Sequence, residues 1–277
     1  MHFPRFLLAA AATTMASATA IPSASSPAVV LTPGAWHGPW AYDLLIPELT
    51  ALGLSSSTVT LATVGTTDSD VGVADDAAAA RAEVLKQLDA PGERDVVLVG
   101  HSYGGVVISN AVEGLSVADR KAAGKKNGVI GVLYMTAFAI PANTSLLDAV
   151  DGSLPDWWNI TGQFFNPINP AHVFYNDITD QALVASYVAK LKSMPWKMVT
   201  DKTQFAPWNS GFNVGYIHAQ LDNAIVLPVQ NAMASAFPAD SFVASLNTSH
   251  SPFLSQPKKT AETINDAVVH FVNKKTV

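Results

Sequence analysis

The 277-residue chain contains no cysteine, which excludes disulfide cross-links, thiol nucleophiles and cysteine-based metal sites. It is also poor in charge: Asp, Glu, Lys and Arg make up 14% of the residues, and the net charge is −6. Nothing resembles the basic stripe that a nucleic-acid partner requires. One short basic cluster, Arg120, Lys121, Lys125 and Lys126, reads as a solvated helix end and loop. No uninterrupted apolar run is long enough to span a bilayer. Without disulfides the fold must rest on its core alone, and a domain of this length can bury one.

The first twenty residues are set apart from the rest. Arg5 supplies a positive start, Phe6 to Ala12 form a short apolar run, and Ala18-Thr19-Ala20 offers small residues at a cleavage position. That order of parts is a secretory signal peptide. The expectation is a secreted protein, starting near Ile21, whose domain spans 21–277 and has no membrane partner after cleavage. Sequons at Asn143, Asn159 and Asn247 fit such a route without establishing it.

From Ala28 onward, wholly apolar runs alternate with helical spacing. Strands are expected at Ala28 to Thr32, Ser57 to Leu61, Asp95 to Val99, Val129 to Met135, Phe212 to Ala219 and Ser241 to Leu246. Helices are expected at Ala41 to Leu52, Asp70 to Asp89, Val106 to Val112, Pro228 to Phe237 and Pro257 to Val272. Strands apolar on both faces, alternating with amphipathic helices, predict an α/β fold with a mostly parallel sheet covered on both sides. The rhythm breaks between about 142 and 211, where one helix, Asp180 to Lys192, stands in a stretch rich in Trp, Phe, Asn and Pro. Seventy residues between two sheet strands read as an inserted cap.

Gly100-His101-Ser102-Tyr103-Gly104 follows the strand DVVLV and precedes a helical run. A serine nucleophile on a strained strand-to-helix turn needs glycine on either side, so that neighbouring backbone can approach without Cβ clashes. The next helix points its N-terminus at the charge that develops during acyl transfer. Ser102 is therefore the expected nucleophile.

In this arrangement the acid and then the histidine follow the serine along the chain. Of the seven histidines, His250 alone sits shortly after a strand and ahead of a final helix, where a loop imidazole can accept the serine proton. Asp222 lies just past the strand ending at Ala219 and can hold that imidazole in register. Asp148 and Asp151 compete for the acid's role from the preceding strand, whereas Asp240 precedes its strand. The loop from Pro33 to Trp40 places Gly34 where close backbone approach is needed, so the amides of Ala35 and Tyr103 are the expected oxyanion donors.

Aromatic residues crowd the inserted segment. Trp157, Trp158, Phe164, Phe165, Trp196, Phe205 and Trp208 lie there, and Trp36 stands in the oxyanion loop. These rings either form the cap's own small core or wall a substrate cleft above Ser102.

The segments PGAWHGPWAYDLLIPEL, GHSYGG, YIHAQLDNAIVLPVQNAMA and SHSPFLSQP resemble the plant methylesterase, salicylate-binding and hydroxynitrile-lyase branch of the α/β-hydrolases, together with its microbial esterase relatives. The resemblance covers nearly the whole chain except the cap and leader. It implies an α/β-hydrolase fold with Ser102, Asp222 and His250 as catalytic triad and Ala35 and Tyr103 at the oxyanion hole. Pro33 stands where many members have histidine, which leaves the backbone donor intact. Lyases of the branch carry a lysine next to the catalytic histidine; here it is Ser251, which disfavours that activity. A serine nucleophile likewise excludes epoxide hydrolysis and dehalogenation, which use a carboxylate. The expected activity is cleavage of an ester, lactone or thioester of a small hydrophobic molecule, with no cofactor and no metal. Biosynthetic hydrolysis, C–C bond cleavage and a non-catalytic ligand-binding role remain as alternatives.

Overall fold

The computed structural model describes residues 26–275. The leader expected at residues 1–20 lies outside the described residues. Along the chain come strand β1 (Ala28–Thr32), helix α1 (Leu45–Ala51), β2 (Ser56–Thr58), α2 (Val73–Leu88), β3 (Val96–His101), α3 (Gly104–Ala111), α4 (Val117–Ala122) and β4 (Val129–Met135). The segment that follows holds α5 (Leu146–Ala149), β5 (Trp158–Thr161), β6 (Phe164–Pro167), α6 (Pro170–Phe174), α7 (Gln181–Val188), β7 (Met194–Pro195) and α8 (Lys197–Thr200). Then β8 (Val214–Ala219), α9 (Leu227–Ala234), β9 (Phe242–Leu246), α10 (Pro252–Ser255) and α11 (Pro257–Lys275) complete the chain.

Six strands pair in the order β2-β1-β3-β4-β8-β9, every neighbour parallel. The central strands β1, β3, β4 and β8 are buried along their whole lengths, because helices cover both faces. Two glycines show how closely those helices sit. A Cβ on Gly100 would stand 2.7 Å from Ile108 of α3, and one on Gly131 would stand 2.1 Å from the ring of Phe271 in α11. Gly100 pairs with Tyr134, three residues from Gly131, so the alternation of a strand puts α3 and α11 on opposite faces.

The departures from expectation have identifiable causes. Helix α2 begins at Val73 rather than Asp70, and its cap is partly tertiary: Val73 N donates to Asp201 Oδ2 at 3.0 Å, while Gly72 N donates to Asp75 at 2.8 Å. Strand β2 is three residues at the sheet edge, paired only with β1, and ends before the buried Val59 and Leu61. The helix expected from Ala41 is split into a 3₁₀ turn, Pro39–Tyr42, and α1. Arg120 is not solvated. It is buried, donating to the Asn127 carbonyl at 2.9 Å and pairing with Asp89 at 2.9 Å.

The segment between β4 and β8 contains more order than the single helix expected there. β5, β6 and β7 form an antiparallel sheet, with Gly162 at φ +61° turning the β5–β6 hairpin. Helix α7 takes Asp180 as its N-cap, the carboxylate accepting from Ala182 N and Leu183 N.

Candidate active site

Chain order reverses direction across the sheet at β1 and β3, and clefts in parallel sheets open beyond the carboxyl ends of such strands. The loop after β1 carries Ala35 and Trp36, and the turn after β3 carries Ser102. Asp222 follows β8, and His250 follows β9. All five expected residues therefore gather at one end of the sheet.

Ser102 adopts φ +54°, a left-handed conformation that costs a non-glycine residue about 1–3 kcal/mol. The surrounding glycines explain how the turn is held. A Cβ on Gly104 would lie 2.5 Å from the Thr32 carbonyl oxygen, and one on Gly100 would lie 2.6 Å from the Gly104 carbonyl oxygen. Both spaces are filled by backbone, so both positions require glycine. Gly34 completes the fit: its absent Cβ would stand 2.7 Å from Cβ of Ser102 and 2.9 Å from Nδ1 of His101.

His250 Nδ1 lies 2.7 Å from Asp222 Oδ2, with both side chains almost wholly buried. A carboxylate can only accept, so Nδ1 carries the proton and Nε2 is left with a free lone pair. Four further donors hold the Asp222 carboxylate. Ala224 N and Ile225 N donate to Oδ1 at 2.7 and 2.9 Å, while Gln230 Nε2 (3.3 Å) and the Thr136 hydroxyl donate to Oδ2. Thr136 itself sits at φ +40° immediately after β4. The competing acids have other partners. Asp148 caps α5 through Ser145, Asp240 pairs with Lys274 at 2.6 Å, and Asp151 lies at the exposed rim of a cavity.

Two more histidines surround this pair, and neither follows a strand in the order that marks a catalytic histidine in the sequence. His101 Nε2 lies 2.7 Å from the His250 carbonyl oxygen and donates to it, tying the loop after β9 to the residue beside Ser102. Burial, reinforced by His250 and His37 nearby, holds the His101 pKa well below the ordinary imidazole value. His37 Nδ1 donates to the Ala35 carbonyl at 2.7 Å, and its Nε2 accepts from the Tyr175 hydroxyl at 2.7 Å. Burial lowers the His37 pKa to about 4. His37 is thus a neutral strut that fixes the loop bearing Ala35. Neither Ala35 N nor Tyr103 N donates to another group among the described residues.

Ser102, Ala35 and Tyr103 line one cavity of about 320 Å³. Of the aromatic residues expected at a cleft, Trp36, Trp157, Trp158 and Phe165 line it. Trp36 Nε1 donates to the Phe165 carbonyl at 3.1 Å and Trp36 N to Met194 Sδ at 2.8 Å, so the loop after β1 is bonded directly to the small sheet. The other four expected rings lie elsewhere. Phe164 precedes Phe165 on β6 and so faces away from it. Trp196 packs behind the wall against Trp158 and Phe165. Phe205 packs on Phe212, and Trp208 on Tyr134 and Phe237. The remaining lining was not legible: Phe138, Leu146, Val150, Met198, Ile225 and Val229 are ordinary apolar residues brought in by four separate segments.

Residues 29–263 match the family described as the alpha/beta hydrolase family. Alpha/beta hydrolase nvfD of Aspergillus novofumigatus (strain IBT 16806) is 32% identical over 129 residues, 47% of this chain and 50% of that protein. The carbendazim hydrolyzing esterase of Nocardioides sp. (strain SG-4G) is 32% identical over 142 residues, 51% of this chain and 54% of that protein. The chain thus spans about half the length of these curated relatives. Among solved structures, methylesterase protein MES16 from Arabidopsis is similar in fold, with a TM-score of 0.68 at 22% identity, covering 88% of this chain and 99% of that one. With the parallel sheet, the glycine-flanked serine turn and a family match over most of its length, this chain belongs to the alpha/beta hydrolase family.

Proposed function

We propose that the protein is a serine hydrolase that cleaves an uncharged carboxylic ester through an acyl-enzyme. The observation that carries this reading is the buried Asp222–His250 pair, 2.7 Å apart, tied through His101 to a serine held at φ +54° on the wall of an apolar cavity. Relatives named as a hydrolase and an esterase support it.

In the first half-reaction Ser102 Oγ attacks the ester carbonyl while His250 Nε2 takes its proton. Asp222 holds the imidazole tautomer and stabilises the imidazolium. The amides of Ala35 and Tyr103 receive the tetrahedral oxyanion, and the His250 proton passes to the departing alcohol. Water, deprotonated by the same imidazole, then attacks the acyl-serine and regenerates Ser102. Every bond made and broken is served by groups of this chain. The cavity lining is apolar apart from Ser102, Tyr103 and the rim residue Asp151, which favours an uncharged, hydrophobic ester over an acidic one.

Turnover of 4-nitrophenyl esters by the purified protein tests the reading. Ser102→Ala should abolish it with the fold intact, and Asp222→Asn should lower kcat roughly 10³- to 10⁴-fold by releasing the imidazole. Undiminished turnover in Ser102→Ala would overturn the assignment.

A further inference from the structure

A second apolar space, more open to solvent than the cavity that holds Ser102, lies beside the nucleophile turn. A second cavity of about 500 Å³ adjoins the first, and Phe138, Ala149 and Val229 line both. Those three side chains are therefore a partition, with apolar space on either side. The far walls come from Trp208 and from α9, through Ala232 and Met233, and no charged side chain faces the second space.

The partition stands against the nucleophile. Phe138 N donates to the Ser102 carbonyl at 3.0 Å, and a Cβ on Gly105 would lie 2.4 Å from the Phe138 carbonyl oxygen. Phe138 is thus fixed by the turn that carries Ser102. A substrate whose carbonyl sits at Ser102 has the edge of the second cavity within reach. An ester confined to the first cavity would leave the apolar walls of the second, the exposed Val229 among them, facing water.

We propose that the second cavity seats a second apolar limb of the substrate, so that the ester carries bulky apolar groups on both sides of its carbonyl. Phe138 and Val229 determine specificity by setting what crosses the partition. The proposal rests on the hydrolase reading for its chemistry, but the seat itself can be measured without turnover.

Ala232 is exposed on α9, so Ala232→Phe can narrow the second cavity without disturbing the core. The wild-type protein should favour benzyl phenylacetate over both methyl phenylacetate and benzyl acetate in kcat/KM. Each buried methylene is worth about fourfold, so filling the seat should reduce that preference by at least about tenfold. Calorimetry with the non-cleavable ketone isostere, 1,4-diphenylbutan-2-one, should show Kd rising by a similar factor in the variant. An unchanged preference and an unchanged Kd in a folded Ala232→Phe protein would overturn the proposal. So would failure of the ketone to bind the wild-type protein. Binding that weakens in the variant, with no ester cleaved by either protein, would support the second seat and overturn the hydrolase reading instead.

Discussion

The Tyr103 hydroxyl donates to Oδ2 of Asp76 across 2.8 Å, clamping the residue after Ser102 to the start of α2. Asp76 is fully buried and also accepts from Thr63 N and Thr63 Oγ1, at 3.0 and 2.6 Å. Burial pushes its carboxyl pKa up, against the pull of those donors. The clamp holds the Tyr103 backbone, and with it one of the two amides assigned to the oxyanion.

Tyr103→Phe keeps the ring and removes one donor. Losing an oxyanion donor outright costs roughly 10²- to 10³-fold in kcat, so loosening its support should cost about tenfold, with KM little changed. Leaving Asp76 short of a partner should also cost about 1–3 kcal/mol in urea unfolding. Lost stability with unaltered kcat would show that the clamp serves only the fold.

His37 makes stability depend on pH in a defined window. Its folded pKa of about 4 lies below the ordinary value of 6.5, because burial opposes the charged ring. Between those values the unfolded chain takes up a proton that the folded one refuses. The stabilisation is complete above pH 6.5 and is lost as pH falls toward about 4, a change of roughly 3 kcal/mol. His101, buried beside it, acts in the same direction. Urea unfolding from pH 7 to 4 should show this slope, and His37→Asn, which cannot titrate, should flatten it. An equal slope in both proteins would contradict the assignment.

Trp157 and Phe205 separate wall from packing. Trp157 lines the cavity and meets Trp36 at 5.8 Å between ring centroids, whereas Phe205 meets Phe212 at 6.0 Å outside the lining. Trp157→Ala should cost about 1–3 kcal/mol in kcat/KM toward a bulky aromatic ester and far less toward an acetate. Phe205→Ala should lower thermal stability and leave the ratio between the two substrates unchanged. Equal losses on both esters in Trp157→Ala would make that ring structural too.

The legible parts of this molecule are those whose causes are local. Val129 to Met135 is readable as a strand to the residue, since an apolar run of 7 residues is short for a buried helix and fits the middle of a covered sheet. Ser102 was readable because its strained turn needs glycines at fixed positions. The start of α2 was not, because Asp201 caps it from 128 residues away. The small sheet is equally illegible, and it decides the rings: once β6 is a strand, Phe164 and Phe165 cannot both face the cavity. His37 and His101 are illegible as braces, because nothing in their neighbourhood in sequence reveals that they hold Ala35 and His250.

The central claim is that Ser102 is the nucleophile, and covalent labelling reads it most directly. A fluorophosphonate probe should form one adduct on the purified protein, mapped by mass spectrometry to the peptide containing Gly100-His101-Ser102-Tyr103-Gly104. The adduct should be absent from Ser102→Ala and strongly slowed in His250→Ala, with both variants folded by circular dichroism. An adduct on another residue, or equal labelling of Ser102→Ala, would contradict the account.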